Sequence, residues 1–163
     1  SRFGETFVVP EPHIVKATAR ILDLQRPEKQ MSKSLGGSGC LFLLDEPATG
    51  VKKIKSAVTD TGREVVFDPE NKPGVSNLLT ILSALTSTPV ETLEKRFEGS
   101  GYGDLKKEVA EVYRDFATGF RVRAQGWLAD PAALDAVLDA GAVRARQSAS
   151  VRLAEVYRRV GFA

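Results

Sequence analysis

The fold is decided by residues 73–85, PGVSNLLTILSAL. Apolar side chains recur in this stretch at intervals of three and four residues, which is the spacing of one face of an α-helix. The stripe consists of Val75, Leu78, Leu79, Leu82 and Leu85. The pattern therefore predicts a helix whose apolar face is buried, and it sets the fold class of everything that follows it.

The residues after Pro73 continue in a helical pattern to the end of the chain. A second helix is predicted to begin at Thr88-Pro89-Val90-Glu91, a capping box with proline at the first helical position. Leu105–Trp127 predicts a long helix, and Asp130 is expected to cap a last helix whose apolar stripe runs over Leu134–Val160. The predicted fold class is mainly α, a helical bundle.

The residues before Pro73 have a different character. Residues 26–39 form a polar, basic loop that ends with Gly36, Gly37 and Gly39, so this loop is expected to be mobile. Asp45 is the expected N-cap of a helix that runs to about Val58. Lysines 52, 53 and 55 are expected to project from that helix, into solvent or toward a polyanion, with solvent favoured. Residues 65–67 predict a brief strand.

The composition excludes several classes of protein and of site. Apolar residues make up 42% and charged residues 27% of the 163 residues, and no apolar run approaches the roughly 18 residues of a membrane span. Cys40 is the only cysteine, which excludes an internal disulfide and a cysteine-rich zinc site. His13 is the only histidine, which excludes catalysis by a histidine pair and a histidine-rich metal site, and no metal ligands are identified in the sequence. A single free thiol is compatible with a reducing cytoplasm.

Positive charge is concentrated at the C-terminal end of the chain. Residues 121–163 contain 7 arginines and 4 acidic residues, whereas the whole chain has a net charge of +2. Arginine suits phosphate because its planar guanidinium can bind two oxygens at once. Charge alone leaves two interpretations open, a surface that binds nucleic acid and an ordinary solvated helix face.

The segment Gln30-Met31-Ser32-Lys33-Ser34 carries the chemistry. It resembles the Lys-Met-Ser-Lys-Ser signature of the class I aminoacyl-tRNA synthetases at four of its five positions. A lysine ammonium beside a leaving pyrophosphate stabilises the transition state more than the ground state. Lys33 is the candidate for this cation, and Ser32 and Ser34 are candidates for hydrogen bonds to phosphate oxygens. Glycines after the signature suit a loop that closes and reopens.

Three later segments, in the same order and spacing, resemble bacterial tryptophanyl-tRNA synthetases. They are residues 51–60 (VKKIKSAVTD), 72–79 (KPGVSNLL) and 97–106 (FEGSGYGDLK). The resemblance runs from about Ala19 to Phe162, nearly the whole chain. Several ordered segments are far more specific than one five-residue motif.

The resemblance implies an activity and a division of the chain. Members of this family activate tryptophan with ATP and Mg²⁺ and transfer it to tRNA(Trp), and they are cytoplasmic homodimers. Residues 1–72 are then expected to be a remnant of a Rossmann-like α/β catalytic domain that includes the mobile loop. Residues 73–163 are expected to be a helical region of the anticodon-binding type that binds tRNA.

The resemblance also assigns roles to individual residues. Residues 30–34, which are Gln30, Met31, Ser32, Lys33 and Ser34, are expected to contact the ATP phosphates. Ile21, nine residues before the signature, is expected to contact the adenine end of ATP, largely through its backbone. The expected tRNA contacts are Arg144, Arg146, Arg152, Arg158 and Arg159.

The chain departs from the family pattern at two places. Gln30 replaces the first signature lysine, so this position can donate a hydrogen bond but supplies no charge, and Lys29 is an adjacent substitute. The upstream class I signature is incomplete, because residues 13–16, HIVK, lack its glycine and its final polar residue. The incomplete signature, together with the missing dinucleotide-fold strands and tryptophan pocket that the family has, leads us to expect that the chain is the C-terminal half of a longer enzyme and is inactive alone.

Two other functions remain open at the level of sequence. A free-standing, non-catalytic module that binds tRNA would account for the basic C-terminal end. A helical scaffold or dimerisation unit would account for the apolar stripes, but it leaves the loop signature unexplained.

Overall fold

Helices make up most of this computed structural model, which describes residues 2–14 and 20–162. The helices are α1 (Pro47–Lys55), α2 (Pro73–Thr86), α3 (Val90–Arg96), α4 (Tyr102–Ala129) and α5 (Pro131–Val160). The β pairing found within these residues is one isolated antiparallel bridge between Leu22 and Gln30. The predicted mainly α fold class is therefore confirmed.

Helix α2 forms the centre of the hydrophobic core. Val75, Leu78, Leu79 and Leu82 are fully inaccessible to solvent, as the sequence pattern predicts. Each such buried aliphatic side chain contributes on the order of 2 kcal/mol through removal of apolar surface from water. The core is completed by side chains of α1, α3 and α4, which are Val51, Ile54, Leu93, Leu105, Val109 and Tyr113.

The chain divides into two compact units. One contains Ile14–Ala124, and the hydrophobic core lies within it. The other contains Ser1–His13 and Gln125–Ala163. These units are defined by contacts within the chain. The predicted boundary at residue 72 is a functional one, between a catalytic remnant and a tRNA-binding region. It therefore stays a prediction.

Helix α5 carries no buried residue. The apolar stripe predicted along it is half-buried or exposed, and Leu138 and Leu153 are 60% and 48% exposed. The expected cap is confirmed, because the Asp130 carboxylate accepts a hydrogen bond of 3.0 Å from the N–H of Ala133. No helix in the described part of the chain is long and apolar enough to cross a membrane.

Helix α1 begins and ends at residues other than those predicted. Its N-cap is Glu46 rather than Asp45, because Pro47 occupies the first turn, where its fixed φ and missing N–H are tolerated. The Asp45 carboxylate lies 3.9 Å from the ammonium of Lys53 instead. The helix ends at Lys55, so Val58 is outside it and 43% exposed.

Two further local predictions are wrong. Residues 65–67 form no strand, and the N–H of Phe67 donates to the Glu94 carboxylate at 2.7 Å. Helix α3 has Pro89 as its N-cap and no capping hydrogen bond from a side chain, so the predicted capping box is not formed. The partial upstream signature cannot be followed, because Val15 and Lys16 lie outside the described residues, as does Ala19.

Gly50 in α1 is required by a close approach to α4, which leads to a prediction. A Cβ at this position would lie 2.2 Å from a ring carbon of Tyr113, a side chain that is only 3% exposed. Gly50→Ala should therefore lower the free energy of unfolding by about 1–3 kcal/mol through overpacking, measured by urea denaturation.

Gly119→Ala is the matched control, since a Cβ there would contact only the flexible end of Arg123 at 3.4 Å. This substitution in α4 should raise stability by up to about 1 kcal/mol, the usual preference for alanine within helices. Equal effects of the two substitutions would contradict the packing described.

Candidate functional site

The signature loop starts from a short extended segment that α2 holds in place. The carboxamide of Asn77, a residue only 3% exposed, accepts a hydrogen bond of 2.8 Å from the N–H of Leu22. The same carboxamide donates one of 2.9 Å to the carbonyl of Leu22. The N–H of Val58 donates to the carbonyl of Leu24 at 2.7 Å. This segment is therefore fixed against the helical core at two successive points.

The signature part of the loop, from Met31 to Gly39, is bonded at both of its ends to this same extended segment. The N–H of Met31 donates to the carbonyl of Ile21 at 2.9 Å, which places the start of the signature beside Leu22. At the far end of the loop, the carbonyl of Gly39 accepts from the N–H of Leu24 at 3.0 Å. The part of the loop from Met31 to Gly39 is thus closed at its base by backbone hydrogen bonds.

Lys53 holds the chain where it leaves the loop. Its ammonium donates to the carbonyl of Cys40 at 2.7 Å and lies 5.1 Å from the centroid of the Phe42 ring. The side chain of Lys53 is only 15% exposed. The expectation that lysines 52, 53 and 55 all project into solvent is therefore wrong for Lys53, which forms a contact within its own unit.

The signature residues themselves form a short 3₁₀ turn over Lys33–Leu35. Ser32 caps this turn, because its hydroxyl oxygen accepts from the N–H of Ser34 at 3.3 Å. Gly36 ends the turn with a φ of 97°, a backbone conformation that favours glycine. The Lys33 side chain is exposed, and its ammonium forms no hydrogen bond or ion pair within residues 2–14 and 20–162. A cation in this setting is accessible to an anionic ligand.

The structure brings three of the predicted nucleotide contacts together, but it buries the side chain of one of them, Met31, against the core. Ile21, Gln30 and Met31 are neighbours through the Leu22–Gln30 bridge and the bond from Met31 to Ile21. The Met31 side chain packs against the core, and its sulfur accepts from the N–H of Leu41 at 3.5 Å. Met31 therefore anchors the loop, whereas the side chains of Gln30 and Lys33 are exposed.

Two of the five predicted tRNA contacts already bind their own chain. Arg152 donates to the carbonyl of Thr6 at 3.0 Å, and Arg159 donates to the carbonyl of Glu5 at 2.5 Å. Both arginines also bind the Glu155 carboxylate, at 2.7 and 2.5 Å. The hydrogen bond from Arg159 is the main reason that the pKa of Glu155 lies below its ordinary value, although partial desolvation opposes it. These guanidinium groups hold the N-terminal residues against α5.

The other three predicted tRNA contacts are differently placed. Arg144, Arg146 and Arg158 are exposed and form no hydrogen bond or ion pair with the described part of the chain. On a helix with 3.6 residues per turn, Arg146 lies about 200° around from Arg144, whereas Arg144 and Arg158 lie about 40° apart. Arg144 and Arg158 therefore share one face of α5.

Sequence reasoning missed Asn77, Asp23 and Lys53 as residues that position the loop. Asn77 is a polar residue within the apolar start of α2, and Asp23 lies between Leu22 and Leu24. A polar side chain enclosed by apolar neighbours signals a buried hydrogen bond, because such a group is costly to bury unpaired. The signal does not identify the partner, which for Asn77 is 55 residues away.

No group of three or more histidine, cysteine, aspartate or glutamate side chains among the described residues could hold a metal ion.

Comparison with known proteins gives consistent results. The sequence profile of the family described as tRNA synthetases class I (W and Y) matches residues 1–118. The chain is 54% identical over 162 residues to tryptophan–tRNA ligase 2 of Streptomyces avermitilis, covering 99% of this chain and 48% of that protein. It is 52% identical to the tryptophan–tRNA ligase of Leifsonia xyli, again covering 99% of this chain and 48% of that protein. The chain thus spans about half the length of these curated relatives.

The solved structures that resemble this chain are also tryptophanyl-tRNA synthetases. The tryptophanyl-tRNA synthetase of Mycoplasma pneumoniae superposes with a TM-score of 0.80 at 34% sequence identity, covering 90% of this chain and 44% of that one. A tryptophanyl-tRNA synthetase of Campylobacter jejuni, described as complexed with ADP and tryptophan, superposes with a TM-score of 0.62 at 27% identity, covering 98% of this chain and 49% of that one.

The double hydrogen bond to Leu22 predicts a large effect of Asn77→Ala. The substitution leaves one N–H and one carbonyl without their partner, so the free energy of unfolding should fall by about 1–3 kcal/mol in urea denaturation. Asn71→Ala is the control, because Asn71 is exposed and its side chain bonds only to Asp68 nearby. A loss for Asn77→Ala no larger than that for Asn71→Ala would refute this anchor.

Proposed function

This chain belongs to the class I tRNA synthetases of the tryptophan and tyrosine group, and from that membership we propose that it serves in a tryptophan–tRNA ligase. The reaction is the ATP-dependent activation of tryptophan and its transfer to tRNA(Trp). The observation that carries the proposal is the Lys33 ammonium, which is exposed and has no partner among the described residues, on a signature loop whose base is fixed. Tryptophan rather than tyrosine is favoured by relatives named tryptophan–tRNA ligase at about 50% identity.

Lys33 acts on the leaving group of the activation step. The carboxylate of tryptophan attacks the α-phosphorus of ATP, the bond to the bridging oxygen breaks, and pyrophosphate leaves with the negative charge that develops. Lys33 stabilises this charge more in the transition state than in the bound substrate, which is the condition for acceleration. Mg²⁺ bound to the phosphates supplies further positive charge.

The other signature residues bind and orient the nucleotide. The Ser32 hydroxyl can donate to a phosphate oxygen while its oxygen still accepts from Ser34. Gln30 is exposed and offers a carboxamide N–H where the family pattern has a lysine. Ile21 and Met31 form the backbone at the base of the loop, and Ile21 contacts the adenine end of ATP.

The basic helix α5 binds tRNA in this proposal. Its candidate contacts are Arg144, Arg146, Arg152, Arg158 and Arg159. Arg144 and Arg158 are the best placed of these, because both are exposed and lie on one face. Arg152 and Arg159 contribute by holding the N-terminal residues, since their guanidinium groups are bound to Thr6 and Glu5. The complete protein acts as a homodimer in the cytoplasm.

Amino-acid-dependent ATP–pyrophosphate exchange tests the function directly. The complete gene product should exchange with tryptophan and not with tyrosine, and the 163-residue chain alone should be inactive. Exchange that depends on tyrosine, or the lack of exchange with any amino acid, would refute the proposed activity.

A second candidate function is a free-standing, non-catalytic module that binds tRNA, favoured by the 7 arginines after residue 120. It predicts tRNA binding by the isolated chain with affinity that falls steeply with salt, together with no amino-acid-dependent exchange by the complete gene product. The exchange assay therefore distinguishes the two candidates.

The geometry of α5 predicts which arginines matter for tRNA. Arg144→Ala and Arg158→Ala together should weaken tRNA binding and reduce the slope of log affinity against log salt by about 1–2, because each phosphate contact releases counterions. Binding is measured by filter retention at several salt concentrations. Arg146→Ala, on the other side of the helix, is the control. A larger effect of Arg146→Ala than of the double substitution would place the tRNA on the opposite face.

A further inference from the structure

Asp23 is a buried carboxylate at the base of the signature loop. Its side chain is wholly inaccessible to solvent, and it lies in the segment that both ends of the loop join. One carboxylate oxygen, Oδ1, accepts hydrogen bonds from the N–H groups of Gln25 at 2.9 Å and Arg26 at 3.0 Å. These bonds fix the turn by which the chain enters the loop.

The same carboxylate lies against the residue at which the chain leaves the loop. The carbonyl of Gly39 accepts from the N–H of Leu24, the residue after Asp23. A Cβ at Gly39 would lie 1.8 Å from Oδ1 and 2.3 Å from the carboxylate carbon of Asp23. The carboxylate therefore occupies the space that any side chain at residue 39 would need, so one group contacts both ends of the loop.

The second carboxylate oxygen of Asp23, Oδ2, has no hydrogen-bond partner among the described residues. A buried oxygen without a partner costs free energy, so this arrangement is not explained by stability alone. Its benefit is geometric, because a single acceptor, Oδ1, holds the N–H groups of Gln25 and Arg26 in one turn.

We propose that Asp23 and Gly39 form a clasp that closes the base of the signature loop and positions Ser32 and Lys33, with Asp23 as a positioning residue. The part that concerns catalysis rests on the proposed function. With the base closed, movement of the loop is confined to the residues between Met31 and Gly39. Lys33 then moves relative to the core only when this short segment changes conformation. This limits the positions that its ammonium reaches.

The clasp is tested first without any ligand, by amide hydrogen exchange of Gln25 and Arg26 in the 163-residue chain. Asp23→Ala removes their acceptor, and Gly39→Ala displaces it, so each substitution should accelerate exchange at these two amides about tenfold. The double variant should exchange no faster than Asp23→Ala, because the methyl group at residue 39 then fills the space that the carboxylate leaves. Such non-additivity is expected only for groups in direct contact.

Gly37→Ala is the matched control within the same loop. A Cβ at Gly37 would contact only the Phe42 ring, at 3.9 Å, so exchange at Gln25 and Arg26 should be unchanged. Additive effects of the two clasp substitutions, roughly a hundredfold in the double variant, would overturn the proposal. Acceleration by Gly37→Ala equal to that by Gly39→Ala would overturn it too.

The catalytic consequence is measured on the complete gene product by ATP–pyrophosphate exchange. Asp23→Ala should lower kcat about tenfold and leave the KM for tryptophan unchanged, and Asp23→Asn should recover much of the rate, because it keeps an acceptor of the same shape. A parallel rise in the KM for tryptophan, or no recovery by Asp23→Asn, would contradict a positioning role. If the unsubstituted protein shows no exchange, the proposed function fails, while the amide exchange still decides whether the clasp exists.

Discussion

The hydrogen bonds between the Asn77 carboxamide and the backbone of Leu22 fix the segment that carries the signature loop to the helical core. Residues 29–31 pair with the backbone of Ile21 and Asp23, and Asn77 supplies both hydrogen-bond partners of the Leu22 backbone from a buried position on α2. Helix α2 is itself held by leucines that are inaccessible to solvent. The position of the signature loop relative to the core therefore follows from the packing of a helix that is distant in sequence.

This constraint explains how one loop combines a rigid base with an accessible tip. The base is closed by backbone hydrogen bonds to Ile21 and Leu24, while Lys33 and Ser34 remain exposed. Electrostatic stabilisation of a transition state needs a charge that is already positioned, because reorientation during the reaction would cost free energy. The other compact unit uses its charges differently. Arg152 and Arg159 are bound within that unit to backbone carbonyls and to Glu155.

The sequence predicted what depends on local periodicity and missed what depends on distant partners. The apolar face of α2 and the Asp130 cap are properties of neighbouring residues, so both were predictable. The start of α1 was misplaced because Pro47 takes precedence over Asp45 in fixing the first turn. The signature loop was identified by its resemblance to a family. Its anchor joins Asn77 to Leu22 across 55 positions of sequence, and Arg152 binds Thr6 across 146 positions. A single sequence gives no means of pairing residues so far apart.

Single-turnover formation of tryptophanyl adenylate shows whether Lys33 provides the positive charge for the activation step. The complete gene product and its Lys33→Ala variant are compared at saturating ATP, with the dissociation constant for tryptophan measured in parallel. The role assigned to Lys33 requires the rate to fall by on the order of a hundredfold while tryptophan affinity is unchanged, the usual cost of removing one such stabilising group. An unchanged rate, or an equal loss of rate and of tryptophan affinity, would contradict it.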